Sequence, residues 1–300
     1  MMNSSKVMDD GIDIPEQETT SMRPTSIFRE IFKSIPVVIA LVVLLIMVLL
    51  AIFAPLISSY DPTQINPMMR LKPMSIEHWL GTDAYGRDVF SRVVYGARVS
   101  LVVGTGVALM SIVFGLIIGV LAGYFRWVDA IVMRVMDGLM AIPGILLAIA
   151  LVSLSGSSIV TVLIAITVPE IPRVVRLVRG VVLGVRNEAY VEAAISLGTP
   201  TFRLISRHLV PSTLAPLVVQ GTYVFASAIL TEAILSFLGA GVPPSTSSWG
   251  NVMAEGRAFF QLFPGLVLYP GILLSLTVLS VNILGDALRD ALDPRMARRV

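Results

Sequence analysis

Long apolar blocks separated by short polar stretches dominate this chain, and the length of the blocks is the first informative quantity. A helix rising about 1.5 Å per residue needs about 20 apolar residues to cross the roughly 30 Å hydrocarbon core of a bilayer. Six segments meet or approach that length: 36–57, 99–123, 138–153, 157–175, 212–238 and 264–285. The first is nearly pure Val, Leu, Ile, Met and Ala, with Pro36 where a missing N–H costs nothing. It is longer than the apolar region of a secretory signal peptide, and a long polar stretch precedes it. The second carries Gly115, Gly119 and Gly123 at four-residue spacing, which lets another helix approach closely. The fourth is broken by Pro169 and Pro172 and holds Glu170, and the fifth holds Glu232. The pattern predicts an all-α membrane protein with six transmembrane helices.

Composition agrees with that class. Of 300 residues 55% are hydrophobic and 14% charged, where an ordinary soluble domain has about 25% charged; the mean hydropathy is +0.85. Basic residues near span ends set orientation. With the amino terminus inside, sixteen of the 22 Lys and Arg fall on the cytoplasmic side. The expected layout is then a cytoplasmic segment 1–35, a first transmembrane helix 36–57, and an external loop 58–98 containing an amphipathic helix. A five-helix core 99–287 follows, including a cytoplasmic loop 183–211, and a cytoplasmic tail 288–300 ends the chain.

Several chemistries are excluded. A net charge of +2 with basic residues at span ends describes topology rather than nucleic-acid binding. There is no cysteine, hence neither a disulfide framework nor a thiolate metal site. His78 and His208, the two histidines, fall on opposite sides of the membrane, and no cluster exists to hold zinc. None of Lys6, Lys33 and Lys72 follows a glycine, so no phosphate-binding P-loop is present; Gly104-Thr105-Gly106 lacks the later glycine of a dinucleotide fingerprint. No nucleophile elbow appears. The chain is not expected to be an enzyme or to bind a cofactor or metal itself.

The cytoplasmic loop is the most distinctive segment. Residues 188–197 hold good helix formers, with Val191, Ala194 and Ile195 on one face and Tyr190 beside them. Gly198 supplies a left-handed terminator, Thr199 is placed to cap a second helix, and Pro200 suits its first turn. That helix, 201–209, carries Phe202, Ile205 and Leu209 on one side and Arg203 and Arg207 on another, and Pro211 is expected to end it. Ala193 and Ala194 leave a shallow surface, and Glu192 offers a carboxylate to a basic partner. Taken alone, these residues fit a socket for a partner protein or an amphipathic hairpin on the inner leaflet.

The spacing Glu192-Ala193-Ala194, three residues, Gly198, twelve residues, Pro211 resembles the EAA loop of permease subunits in ABC importers. That pattern has Ile and Leu where this chain has His208 and Val210. A second resemblance is carried by the run from His78 through Gly81-Thr82-Asp83 and Gly86-Arg87-Asp88 to Arg98. Leu230 to Gly239 with Glu232, Ser248-Trp249-Gly250-Asn251, and Leu284 to Arg295 continue it. Together these are similar to the C-type permeases of dipeptide, oligopeptide and nickel importers, from Pro36 onward.

The resemblance implies the type I importer permease fold and alternating access, with ATPase coupling through Tyr190, Glu192, Ala193, Ala194, Gly198, Arg203 and Pro211. It also implies one more permease subunit, usually a different one, two ATP-binding subunits holding ATP and magnesium, and a solute-binding protein outside the cell. Peptides are the implied substrate, with nickel complexes and glutathione as alternatives. An ion-coupled secondary transporter is the rival class, and no internal inverted repeat favours it.

Two further groups stand out. A carboxylate inside an apolar helix is costly unless paired or facing water, which makes Glu232 and Glu170 candidates for the translocation path or for structural bracing. Outside, Asp83 is placed to cap a helix whose apolar stripe includes Val89, Phe90 and Val93. Asp83, Arg87, Asp88 and, in the long outer loop, Trp249 are candidates for an external interface, with anchoring of the pore helices as the alternative.

Overall fold

The computed structural model describes residues 34–292, so the amino-terminal segment 1–33 and the last eight residues of the expected tail lie outside the described residues. The described chain is helical, with one isolated bridge between Thr82 and Asp88 in the outer loop. Helix α1 spans Ile35–Ile52 and is followed after Phe53 by a single turn, α2, Ala54–Ile57. Helix α3, Val89–Tyr124, runs for 36 residues. Then come α4, Arg126–Ala141, and α5, Gly144–Ser155. Helix α6 is Ile159–Arg186. The loop segment forms α7, Ala189–Ser196, and α8, Thr201–Leu204. Helix α9 is Val210–Phe237, α10 is Trp249–Gly256, and α11 is Gly265–Leu292.

Among the described residues, four helical stretches are long and apolar enough to cross a membrane: α1, α3, the continuous Thr201–Phe237 rod and α11. Helices α4 and α5 make a fifth only as a pair bent by 89°. Helix α6 is 28 residues long, but Glu170, Arg173 and Arg176 all fall within its first eighteen. Apolarity and length therefore select four or five spans rather than six.

Three boundaries differ from the sequence pattern. The segment expected as the third span, 138–153, straddles the bend, because Ile142 precedes Pro143 and takes an extended conformation (ψ 128°) that a helix cannot continue through. The external amphipathic helix is not separate from the second span. It is the first turns of α3, capped by Asp88, whose carboxylate accepts from the Ser91 amide at 2.7 Å, rather than by Asp83. Pro211 does not end the second hairpin helix either. A π-turn over Ile205–Leu209 carries the chain straight into α9, with the Val210 amide donating five residues back to the Ile205 carbonyl. The wider turn accommodates Pro211, which has no N–H and would crowd the carbonyl four residues before it in a regular helix.

Helix α3 is the central column. Gly115, Gly119 and Gly123 face Val174, Val178 and Val182 of α6, as their spacing predicts. A Cβ on Gly119 would stand 2.7 Å from the Val178 Cβ, and one on Gly123 would stand 2.7 Å from the Val182 Cβ. Valines Val174, Val178 and Val182 are fully buried and join Val103, Val107, Leu217 and Val224 in the main core of α3, α6 and α9. A second cluster packs α1 (Met47, Ala51) against α3, α9 and α11 through Leu101, Ile229 and Leu274.

Gly119→Ala is expected to destabilise the detergent-extracted chain by about 1–3 kcal/mol, because the added carbon has no room. Gly180→Ala in α6, where a Cβ meets nothing within 4 Å, is expected to be neutral or slightly stabilising. Thermal denaturation of the two variants side by side checks the contrast.

Candidate coupling hairpin and buried ionic sites

The hairpin is built at the end of α6. Helix α7 begins after Glu188 in extended backbone and ends at Leu197. Gly198 takes a φ of +77°, and its amide donates to the Ile195 carbonyl at 2.9 Å while the Thr199 amide donates to Ala194 at 3.1 Å. That paired arrangement is a Schellman terminator. Nothing lies within 4 Å of a Cβ placed on Gly198, so the backbone conformation, not space, requires glycine there. Thr199 does not cap α8; Pro200 holds the N-cap position with no side-chain cap bond.

Of the two apolar faces read from the sequence, only part turns inward. Val191, Leu204 and Leu209 are buried, with Ala194 and Ile205 half-buried. Leu197 and Phe202 at the tip are 86% and 82% exposed, and Ile195 is also exposed. Tyr190 lies across from His208, with ring centroids 6.0 Å apart. Glu192, Ala193, Arg203 and Pro211 are exposed around the tip and along its outer side. The hairpin thus presents two large apolar side chains between an acidic and a basic group.

Glu232 on α9 is completely buried. It accepts from Ser236 at 2.7 Å and from Ser100 of α3 at 3.4 Å, which makes it a brace between helices. Glu170 differs. It sits on α6 between Pro169 and Pro172, accepts from Ser227 of α9 at 3.1 Å, and meets Arg173 at 3.4 Å, whose side chain is 59% exposed. Lower on α6, Arg176 pairs with Asp137 at 2.6 Å and Arg179 chelates Asp129 (Nη2 to Oδ2 2.7 Å), tying α4 to α6.

At the end of the bundle away from the hairpin, Asp83, Arg87, Asp88 and Trp249 come together but turn inward. Arg87 Nε donates to Asp83 at 2.7 Å, and Arg92 Nη1 donates to both Asp83 and Glu255 at 2.6 Å. Arg87 also pairs with Glu255, and His78 Nδ1 meets Asp88 at 2.8 Å. Trp249 is fully buried, its indole N–H donates to the Val93 carbonyl at 3.0 Å, and its ring fills the space left by Gly96. The cluster anchors α10 to the top of α3, because two arginines and two carboxylates neutralise each other out of water. Glu255 and Arg92 were not picked out as site residues from the sequence; they are 163 positions apart, and no local pattern links them.

With this geometry in view, the comparisons with known proteins assign the chain. Residues 111–298 match the family model described as binding-protein-dependent transport system inner membrane component, and residues 25–73 match the N-terminal TM domain of oligopeptide transport permease C. The chain belongs to this family of inner-membrane permeases. A probable peptide ABC transporter permease protein of Sinorhizobium fredii is 54% identical over 250 residues, covering 83% of this chain and 86% of that protein. A dipeptide transport system permease protein of Alkalihalophilus pseudofirmus is 43% identical over 284 residues, 94% of this chain and 93% of its own. The inward-facing MetNI methionine ABC transporter is similar in fold, with a TM-score of 0.54 at 18% identity, over 68% of this chain and 98% of the solved one.

Arg92→Ala is expected to cost about 3 kcal/mol, since it leaves Asp83 and Glu255 to share the single Arg87 guanidinium in a largely buried site. The checking measurement is the thermal midpoint of the membrane-extracted chain, with Arg92→Lys falling between the variant and the native protein.

Proposed function

We propose that this chain is the translocating subunit of an ATP-driven importer that carries di- or oligopeptides across the cytoplasmic membrane by alternating access. Six spans, with α4 and α5 as one broken crossing and the polar α6 as another, and both termini in the cytoplasm, complete the topology. The chain pairs with a second permease subunit, usually a different one. Two partner ATPases bind ATP and magnesium and perform the hydrolysis, and an external solute-binding protein delivers the substrate. Membership of the family and the peptide permeases among its relatives support the substrate class. Nickel complexes or glutathione are the alternatives within the same complex type.

One observation carries the coupling role. The hairpin holds Leu197 and Phe202 almost wholly exposed at a tip that continues without interruption into a membrane helix. A soluble monomer does not keep two such side chains in water without use, and a groove on an ATPase subunit would bury them. Burying both removes about 3–6 kcal/mol of apolar exposure at typical values per side chain. Glu192 on one side and Arg203 on the other then set register, and closure of the ATPases moves the hairpin as a lever.

Glu192→Ala and Gly198→Val are expected to abolish transport while leaving membrane insertion intact, because the first removes a contact and the second strains the turn. Leu197→Ser with Phe202→Ser is expected to lose co-purification with the ATPases. Uptake at the native level in both single variants, measured in reconstituted vesicles, refutes the coupling role. Protection of the hairpin from a protease added on the cytoplasmic face in the absence of partners contradicts the topology.

A further inference from the structure

Glu170, Arg173 and Ser227 form a polar group whose position in the bundle has a use beyond bracing. Taking α6 as a crossing with Ile159 outside, Arg173 lies fourteen residues down the helix, roughly 21 Å from its outer end and short of the inner boundary of the hydrocarbon layer. Its side chain is nevertheless 59% exposed, and its only ion-pair partner among the described residues is Glu170, at a long 3.4 Å. An arginine at that depth does not face lipid tails; it faces protein or a water-filled cavity.

The surroundings continue the polar character. Pro169 and Pro172 lack the amides that would satisfy the carbonyls of Ala165 and Val168, and such backbone is tolerated in a membrane only where it lines protein or water. Across from it, Ser227 donates to Glu170, and Gln220, Ser227 and Thr231 recur at seven- and four-residue spacing on one side of α9, all partly exposed. Glu232 belongs to a different site, since it is fully enclosed by Ser236 and Ser100.

We infer that the groove between α6 and α9 lines the translocation path and that Arg173 is a specificity-determining residue, its guanidinium receiving the free carboxylate of a peptide in transit. This rests on the peptide-importer reading. A guanidinium has five N–H donors in a planar fork, so a partner as distant as Glu170 leaves most of them for a second carboxylate. The Ser227 and Gln220 side chains and the freed Val168 carbonyl offer exchangeable hydrogen bonds to the peptide backbone. Glu170 holds the guanidinium in place and is a positioning residue.

The test uses the assembled transporter in vesicles with its ATPases and binding protein. The chain has no cysteine, so each thiol in it is an introduced one. A membrane-impermeant cationic methanethiosulfonate is expected to modify Arg173→Cys and Ser227→Cys about tenfold or more faster than Ile164→Cys and Val218→Cys, which lie nine residues away on the opposite, exposed sides of the same helices. Loaded binding protein with ATP is expected to slow the reaction at position 173. Separately, uptake of a dipeptide is compared with uptake of its carboxy-terminal amide, each at concentrations saturating the binding protein. Arg173→Gln is expected to lower the preference for the free acid by about tenfold or more, and Arg173→Lys to keep most of it.

Unreactive thiols at both 173 and 227 overturn the groove, as a dry contact with another chain. Reaction at 173 alone, indifferent to nucleotide, also overturns it, because the guanidinium then reaches lipid headgroups. An unchanged acid preference in Arg173→Gln overturns the carboxylate assignment. Failure of the native transporter to carry either compound defeats the peptide reading and that assignment with it, while the thiol pattern still decides whether the groove is wet.

Discussion

The close contact between α3 and α6 is the constraint on which the rest of the bundle depends. In a bilayer, lipid tails are as apolar as leucine, so helices associate through packing and polar contacts rather than by escaping water. Gly115, Gly119 and Gly123 remove the side chains that would hold α6 away, and Val174, Val178 and Val182 fill the space. With α6 fixed on this column, two consequences follow. Its polar side turns toward α9 and outward, and its inner end, where the hairpin starts, is held at a defined place. The pairs Arg176–Asp137 and Arg179–Asp129 then fasten the bent α4 to the same helix.

Charge is handled differently in the three zones of the molecule. At the end away from the hairpin, Asp83, Arg87, Arg92 and Glu255 cancel within a largely buried cluster that joins segments far apart in sequence. Inside the bundle, Glu232 is enclosed by hydroxyls, whereas Glu170 is shared between Ser227 and a half-open arginine. On the hairpin, Glu192, Arg203 and Arg207 stay in solvent. Structure is held where charges are matched and hidden, and interaction is left to the places where they are not.

Much of this was legible in the sequence, and the exceptions have physical reasons. Glycines at four-residue spacing announce a helix contact, and Gly198 announces a left-handed terminator, because both depend on residues close together in the chain. The break at Ile142 and Pro143 was also readable from the rule for residues before proline, but an apolar run on both sides hid it. The fate of Pro211 was not readable: proline stops a regular helix, and only a π-turn, which no local pattern predicts, lets the rod continue. The Arg92–Glu255 pair lay beyond reach because pairing across 163 positions is fixed by the fold and not by spacing. Asp83 and Trp249, prominent in the sequence, turned inward for the same reason.

The absorbed proline has a mechanical corollary. From Thr201 to Phe237 the chain is one shaft, its regular hydrogen bonding interrupted at the π-turn. The arm on the hairpin side of that turn is four residues and the arm beyond it twenty-eight, roughly 6 Å and 42 Å. If the proposed coupling pivots the shaft at that turn, it trades thrust for travel by a factor of roughly seven. A small displacement applied at the hairpin would be enlarged in that proportion at Phe237.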